Sequence, residues 1–95
     1  MFIVLLKFSS NKSKANQFME GHKEWIKRGF SDGVFLLVAS LQPNQGGAIL
    51  AHNTSPSDLQ SRVNDDPFVV EKIVNAEILE IAPSLFDERL KFLAR

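Results

Sequence analysis

The chain has 95 residues, one domain's worth, and a chain of that length buries only about two-thirds of the surface it exposes when unfolded. Apolar residues make up 44% and charged residues 23%, a globular balance that excludes a disordered or fibrous chain. Eleven basic against eleven acidic residues leave no net charge, which argues against a binder of nucleic-acid backbone, and the absence of cysteine excludes disulfides, thiolate metal sites and a cysteine nucleophile.

Phe2–Phe8 is rich in β-branched and aromatic residues and reads as a strand. The apolar stretch Met1–Leu6 is too short to span a membrane and has no basic segment before it, so neither a membrane partner nor a signal peptide is expected. The expected location is the cytoplasm, where the Asn-x-Ser matches at Asn11 and Asn53 carry no glycan. Asn11 or Ser13 is positioned to cap a helix that runs to about Arg28, with Gly29 as its end. Ala15, Phe18, Met19, His22, Trp25 and Ile26 recur on one face of that helix. Val34–Leu41 reads as a second strand, Gln42–Gly47 as a polar loop and Ala48–His52 as a short third strand. Ser55-Pro56-Ser57-Asp58 combines a cap, a proline at the first helical position and an acid three residues after the cap, opening a helix to about Val63. Asn64-Asp65-Asp66-Pro67 breaks it, and Phe68–Lys72 is read as one further turn. Ile73–Ala82 is a fourth strand. A terminal helix is expected over about 84–95, with Ser84 and Asp87 in capping-box spacing.

The order β-α-β-β-α-β in a single domain, 1–95, predicts an α+β ferredoxin-like plait: a four-stranded antiparallel sheet with both main helices on one face, plus an extra C-terminal helix. Phe2, Val4, Leu6 and Phe8 alternate with Ile3 and Leu5; Val34, Leu36 and Val38 alternate with Phe35, Leu37 and Ala39. Both faces of these strands are therefore apolar, and two helices cover only one. The terminal helix is expected to cover part of the other face and the sheet of a second copy the rest, so the expectation is a homodimer through its sheet faces.

His22 sits in the middle of the apolar stripe of the first helix and needs a hydrogen-bond partner there, which a backbone carbonyl, water at the stripe's edge or a carboxylate would supply. Helix side chains lean toward the N-terminus, and in this topology the second helix ends near the start of the first. Asp66 is thus placed to fix the imidazole tautomer for general acid/base work, while Asp32 reads as a turn residue. The same end of the domain collects Ser9, Ser10, Asn11, Lys12 and Ser13, and also Gln42, Asn44 and Gln45. Trp25, Met19 and the other aromatics, Phe68 among them, are expected to wall a small-molecule pocket with Ser9 and Ser10 at its mouth. His52 reads as a surface residue, with no metal-ligand spacing to His22 or a carboxylate. Ser40 and Thr54 lack a nucleophile-elbow pattern, and Gly46-Gly47 sits in a hairpin, not a phosphate loop.

The β-α-β-β-α-β order, Gly21-His22-Lys23 in the first helix, Pro43 and Gly46-Gly47 in the central hairpin and Asp66-Pro67-Phe68 before the last strand together resemble the YCII-related family of small proteins. The resemblance covers residues 1 to about 83. It implies a dimeric α/β barrel and an active centre of a histidine and an aspartate, matched here by His22 and Asp66. That family is similar in fold to muconolactone isomerases and small cofactorless monooxygenases, and has been linked to dehydrochlorination of hydroxyquinols. Ala39-Ser40-Leu41-Gln42-Pro43 stands where an Ala-Gly-Pro run is common in the family.

The expected function is a cofactorless enzyme of the lyase or isomerase type acting on a small molecule, with His22 as acid/base and Asp66 orienting it. The alternative is a non-catalytic ligand-binding or accessory protein using the same pocket. An RNA-recognition motif shares the element order but needs aromatic and basic residues on its third strand. Gly47-Ala48-Ile49-Leu50-Ala51-His52 supplies neither aromatic nor Lys or Arg, so no nucleic-acid partner is expected.

Overall fold

The computed structural model describes residues 1–94. Strand β1 (Phe2–Phe8) is the inner strand between β3 (Gly46–Ala51) and β4 (Val74–Glu80), and β2 (Phe35–Leu41) pairs on the far side of β3. All three pairings are antiparallel and the order is β2-β3-β1-β4. Helices α1 (Ala15–Ser31) and α2 (Pro56–Asn64), with the single turn α3 (Pro67–Val70), complete a ferredoxin-like plait. The core lies between helices and sheet: Phe2, Val4, Leu6, Ile49 and Ala51 from the strands meet Trp25, Leu59, Val63 and Phe68 from the helices.

The helix starts differ in how well local chemistry announced them. Ser55 caps α2 as expected, its side chain accepting from Asp58 N at 3.1 Å, with Pro56 at the first helical position. Neither Asn11 nor Ser13 caps α1; a 3-10 turn, Lys12–Lys14, leads into it without a side-chain cap. Nor does Gly29 end α1. A Cβ there would stand 2.1 Å from Phe35 Cδ2, so the residue is glycine because the helix lies directly on the Phe35 ring. The helix runs on to Ser31 and turns at Gly33, whose φ is 74°.

The strand faces also carry a correction. A bulge at Leu36 leaves Phe35 opposite Ala51 and Leu37 opposite Leu50. One extra residue reverses the alternation beyond it. Phe35 and Val38 therefore share the helix side, and Leu37 and Ala39 share the other, where Ile3, Leu5, Ala48, Leu50 and Leu79 also lie. Leu37 is 56% exposed and Leu79 40%. This apolar face is not covered by the terminal segment. The helix expected over 84–95 is a 3-10 helix, Glu88–Leu93, and Arg95 lies outside the described residues. Asp87 caps it through Arg89 N, and hydrogen bonds from the Arg89 side chain and backbone hold the Asp87 carboxyl below its ordinary value. The segment borders a hollow at one end of the sheet, and Phe92 meets the half-buried His52 edge-on with ring centroids 6.1 Å apart.

Candidate active site

The site is assembled where α1 crosses the break between α2 and α3. Pro67 cannot continue α2, and the residue before a proline is pushed out of helical conformation. Asp66 accordingly has φ −62° and ψ 124°, and its Oδ1 accepts from Phe68 N at 3.1 Å, capping α3. On the facing helix Gly21 comes so close to Pro67 that a Cβ would stand 3.1 Å from Pro67 Cγ. This approach carries the next residue, His22, onto the buried carboxylate: Nδ1 stands 2.8 Å from Asp66 Oδ1. Asp66 is completely buried and the His22 side chain is 14% exposed.

The ring is held on its face as well as its edge. Phe68 stacks on His22 with centroids 3.9 Å apart and planes 2° from parallel, and Trp25 lies behind at 6.0 Å. An ionised carboxylate accepts only, so Nδ1 is the nitrogen that donates to Asp66, and in the neutral ring Nε2 carries the lone pair. The other carboxylate oxygen, Oδ2, is buried with no hydrogen-bond partner. A buried acceptor without a protein partner is costly.

His22 and Phe68 border a cavity of about 170 Å³ between α1 and the sheet. Leu6, Phe8, Val38 and Val74 give it apolar walls and Met19 closes it from the helix side. Among its lining residues only His22 and Ser40 bring polar side chains. Two larger hollows lie elsewhere, one beside the terminal segment and one between Arg28, Arg62, Asp58 and Asp65, and neither reaches His22 or Asp66. Among the described residues no three His, Cys, Asp or Glu side chains are grouped to hold a metal ion.

The structure brings together three of the six residues singled out from sequence: His22, Asp66 and Phe68. The other three stand apart from the cavity. Ser9 Oγ donates to the Lys72 carbonyl and accepts from Asn11 N, so it closes a loop onto the start of β4. Ser10 is exposed and borders no part of the cavity. Trp25 is a core residue, 2% exposed, whose Nε1 donates to the Arg62 carbonyl at 2.9 Å. Asp32 is a helix-end residue that pairs with Arg62 at 2.9 Å and takes no part in holding His22. Val38 and Ser40 reach the cavity because of the bulge at Leu36, and no Gly or Pro marks that bulge in the sequence.

No model of a known protein family matches this sequence, and no curated protein matches it.

Proposed function

We propose that this chain is a cofactorless small-molecule enzyme that moves a proton, as a lyase or isomerase does, and that it belongs to the YCII-related family. The observation that carries the reading is the 2.8 Å contact between His22 Nδ1 and the buried Asp66, which leaves Nε2 as the proton acceptor beside an apolar cavity. In the reaction Nε2 takes a proton from the bound molecule and returns it at a second position. Asp66 and the parallel Phe68 ring face the charge that forms on the imidazole in between. The family assignment is supported by the element order, by a histidine in the middle of α1 and by Asp66-Pro67-Phe68 at the start of α3.

The proposal includes a cytoplasmic homodimer joined through the apolar sheet face that carries Leu37, Leu50 and Leu79. No helix of the described residues is long and apolar enough to cross a membrane. An exposed apolar face on an antiparallel sheet is a surface that seeks a partner.

The test is a library of small cyclic compounds followed for turnover and for movement of the His22 imidazole resonances. Replacement His22→Ala is expected to abolish turnover of any compound the wild type converts, with the fold retained. If no compound moves the imidazole resonances and His22→Ala only lowers thermal stability, the reading fails. Binding without turnover, insensitive to His22→Ala and Asp66→Asn, establishes the ligand-binding alternative instead.

A further inference from the structure

One polar side chain on the cavity wall has no part in the acid–base pair. Ser40 lies on β2 opposite Gly47, which in turn lies opposite Leu6 on β1, and all three border the cavity. Gly47 has no side chain to fill the space between them. The Ser40 hydroxyl makes no hydrogen bond to any described residue. It is thus an uncommitted donor and acceptor on the sheet side, across from His22 on the helix side.

The charge around the cavity is equally selective. No lysine or arginine lines it, and Asp66 stands behind His22 with one oxygen unpartnered. The nearby cation, Lys12, lies over the Phe8 ring, its Nζ 4.9 Å from the centroid, and is not among the lining residues. An anionic group inside the cavity would find no lysine or arginine to pair with, and the cost of burying a charge is offset only by pairing. Size sets a further limit. The volume of about 170 Å³ has room for one ring, as the apolar cavity of about 150 Å³ that holds benzene does, although exposed Val38, Ala39 and Ser40 leave this one open to solvent.

Resting on the reading of His22 and Asp66 as the working pair, we propose that Ser40 is a specificity-determining residue. It selects an uncharged ligand of about one ring's size by hydrogen-bonding a carbonyl or hydroxyl oxygen, while the rest of the ligand faces His22 Nε2. Ser40 is exposed in the free chain, so a ligand lacking that oxygen displaces water from the hydroxyl without replacing its hydrogen bond, and discrimination comes from that difference.

The experiment titrates the protein with cyclohexanone, cyclohexanecarboxylate and benzene, reading affinity from the His22 imidazole resonances in the wild type, Ser40→Ala and Ser40→Thr. Cyclohexanone is expected to move the resonances, to bind about five-fold more weakly to Ser40→Ala, and to recover in Ser40→Thr. Benzene is expected to bind Ser40→Ala at least as tightly as wild type, opposite in direction to cyclohexanone, a result that loss of a merely structural serine would not give. Cyclohexanecarboxylate is expected to bind more weakly than cyclohexanone. Unchanged cyclohexanone affinity in Ser40→Ala, with His22 still responding, overturns this inference and leaves the His22–Asp66 reading standing. Tighter binding of the carboxylate, lost on Lys12→Ala, overturns the uncharged class. If no probe moves the His22 resonances, both the inference and the site reading fall.

Discussion

Gly21 and Pro67 make the approach on which the site depends: a Cβ on Gly21 would stand 3.1 Å from Pro67 Cγ, and each residue is the immediate chain neighbour of one member of the His22–Asp66 pair. The distance between α1 and α3 is therefore set one residue away from the chemistry. A helix-interior glycine ordinarily costs about 1 kcal/mol relative to alanine, so its presence at this crossing has a packing reason.

Gly21→Val is expected to force the two elements apart and to lower stability by about 1–3 kcal/mol, as overpacking does. Urea unfolding measures the loss. The same variant is expected to lengthen the His22–Asp66 contact, and the His22 nitrogen shifts report it. A Gly21→Val protein with wild-type nitrogen shifts would show that the crossing does not position the pair.

Asp66→Asn tests the tautomer. The amide oxygen can still accept from Phe68 N, but the amide no longer holds the proton on Nδ1 with a charge. The protonated nitrogen of His22 is expected to shift in part from Nδ1 to Nε2, which two-bond nitrogen–proton spectra distinguish. Turnover of a substrate is expected to fall by about 10²-fold or more, the ordinary scale of a positioned acid–base group.

Gly29→Ala places a methyl 2.1 Å from Phe35 Cδ2, an overlap that neither a helix nor a core aromatic relieves cheaply. The expected cost is at least about 2–3 kcal/mol, against the helix-propensity gain an alanine brings elsewhere. Adding Phe35→Leu should recover part of that loss. Thermal melts of the single and double variants check it.

Leu37→Lys puts a charge onto the open sheet face at its edge strand β2, where Leu37 is 56% exposed and opposite Leu50. The proposed homodimer is expected to dissociate, with little change in monomer stability because the side chain contributes nothing to the helix-side core. Sedimentation equilibrium of wild type and variant decides; a monomeric wild type removes the dimer.

Much of the architecture was legible locally. Alternating apolar residues in Phe2–Phe8, the Ser55-Pro56 cap and the Asn64–Pro67 break each act over a few residues, and the structure places a strand, a helix start and a helix end there. The stripe on α1 and the lean of helix side chains also brought His22 to Asp66 and away from Asp32. Polarity was a poorer guide. Ser9 and Ser10 looked like pocket groups because they are polar and lie in a loop, yet Ser9 spends its hydroxyl on the Lys72 carbonyl, a partner 63 residues away.

By itself, then, the sequence determined the order of elements, the two apolar sides of the sheet and the candidacy of His22 and Asp66, because propensity, periodicity and capping are properties of neighbouring residues. Only the tertiary structure decided that α1 passes through Gly29, that a bulge at Leu36 turns Val38 and Ser40 toward the helices, and that Trp25 belongs to the core and not to the cavity. Each of these is set by what lies across the sheet or on the facing helix: the Phe35 ring beneath Gly29, the β3 ladder beside Leu36 and the Arg62 carbonyl at Trp25. Such partners are distant in the chain, and close packing, which no local pattern encodes, selects among the arrangements that the local patterns allow.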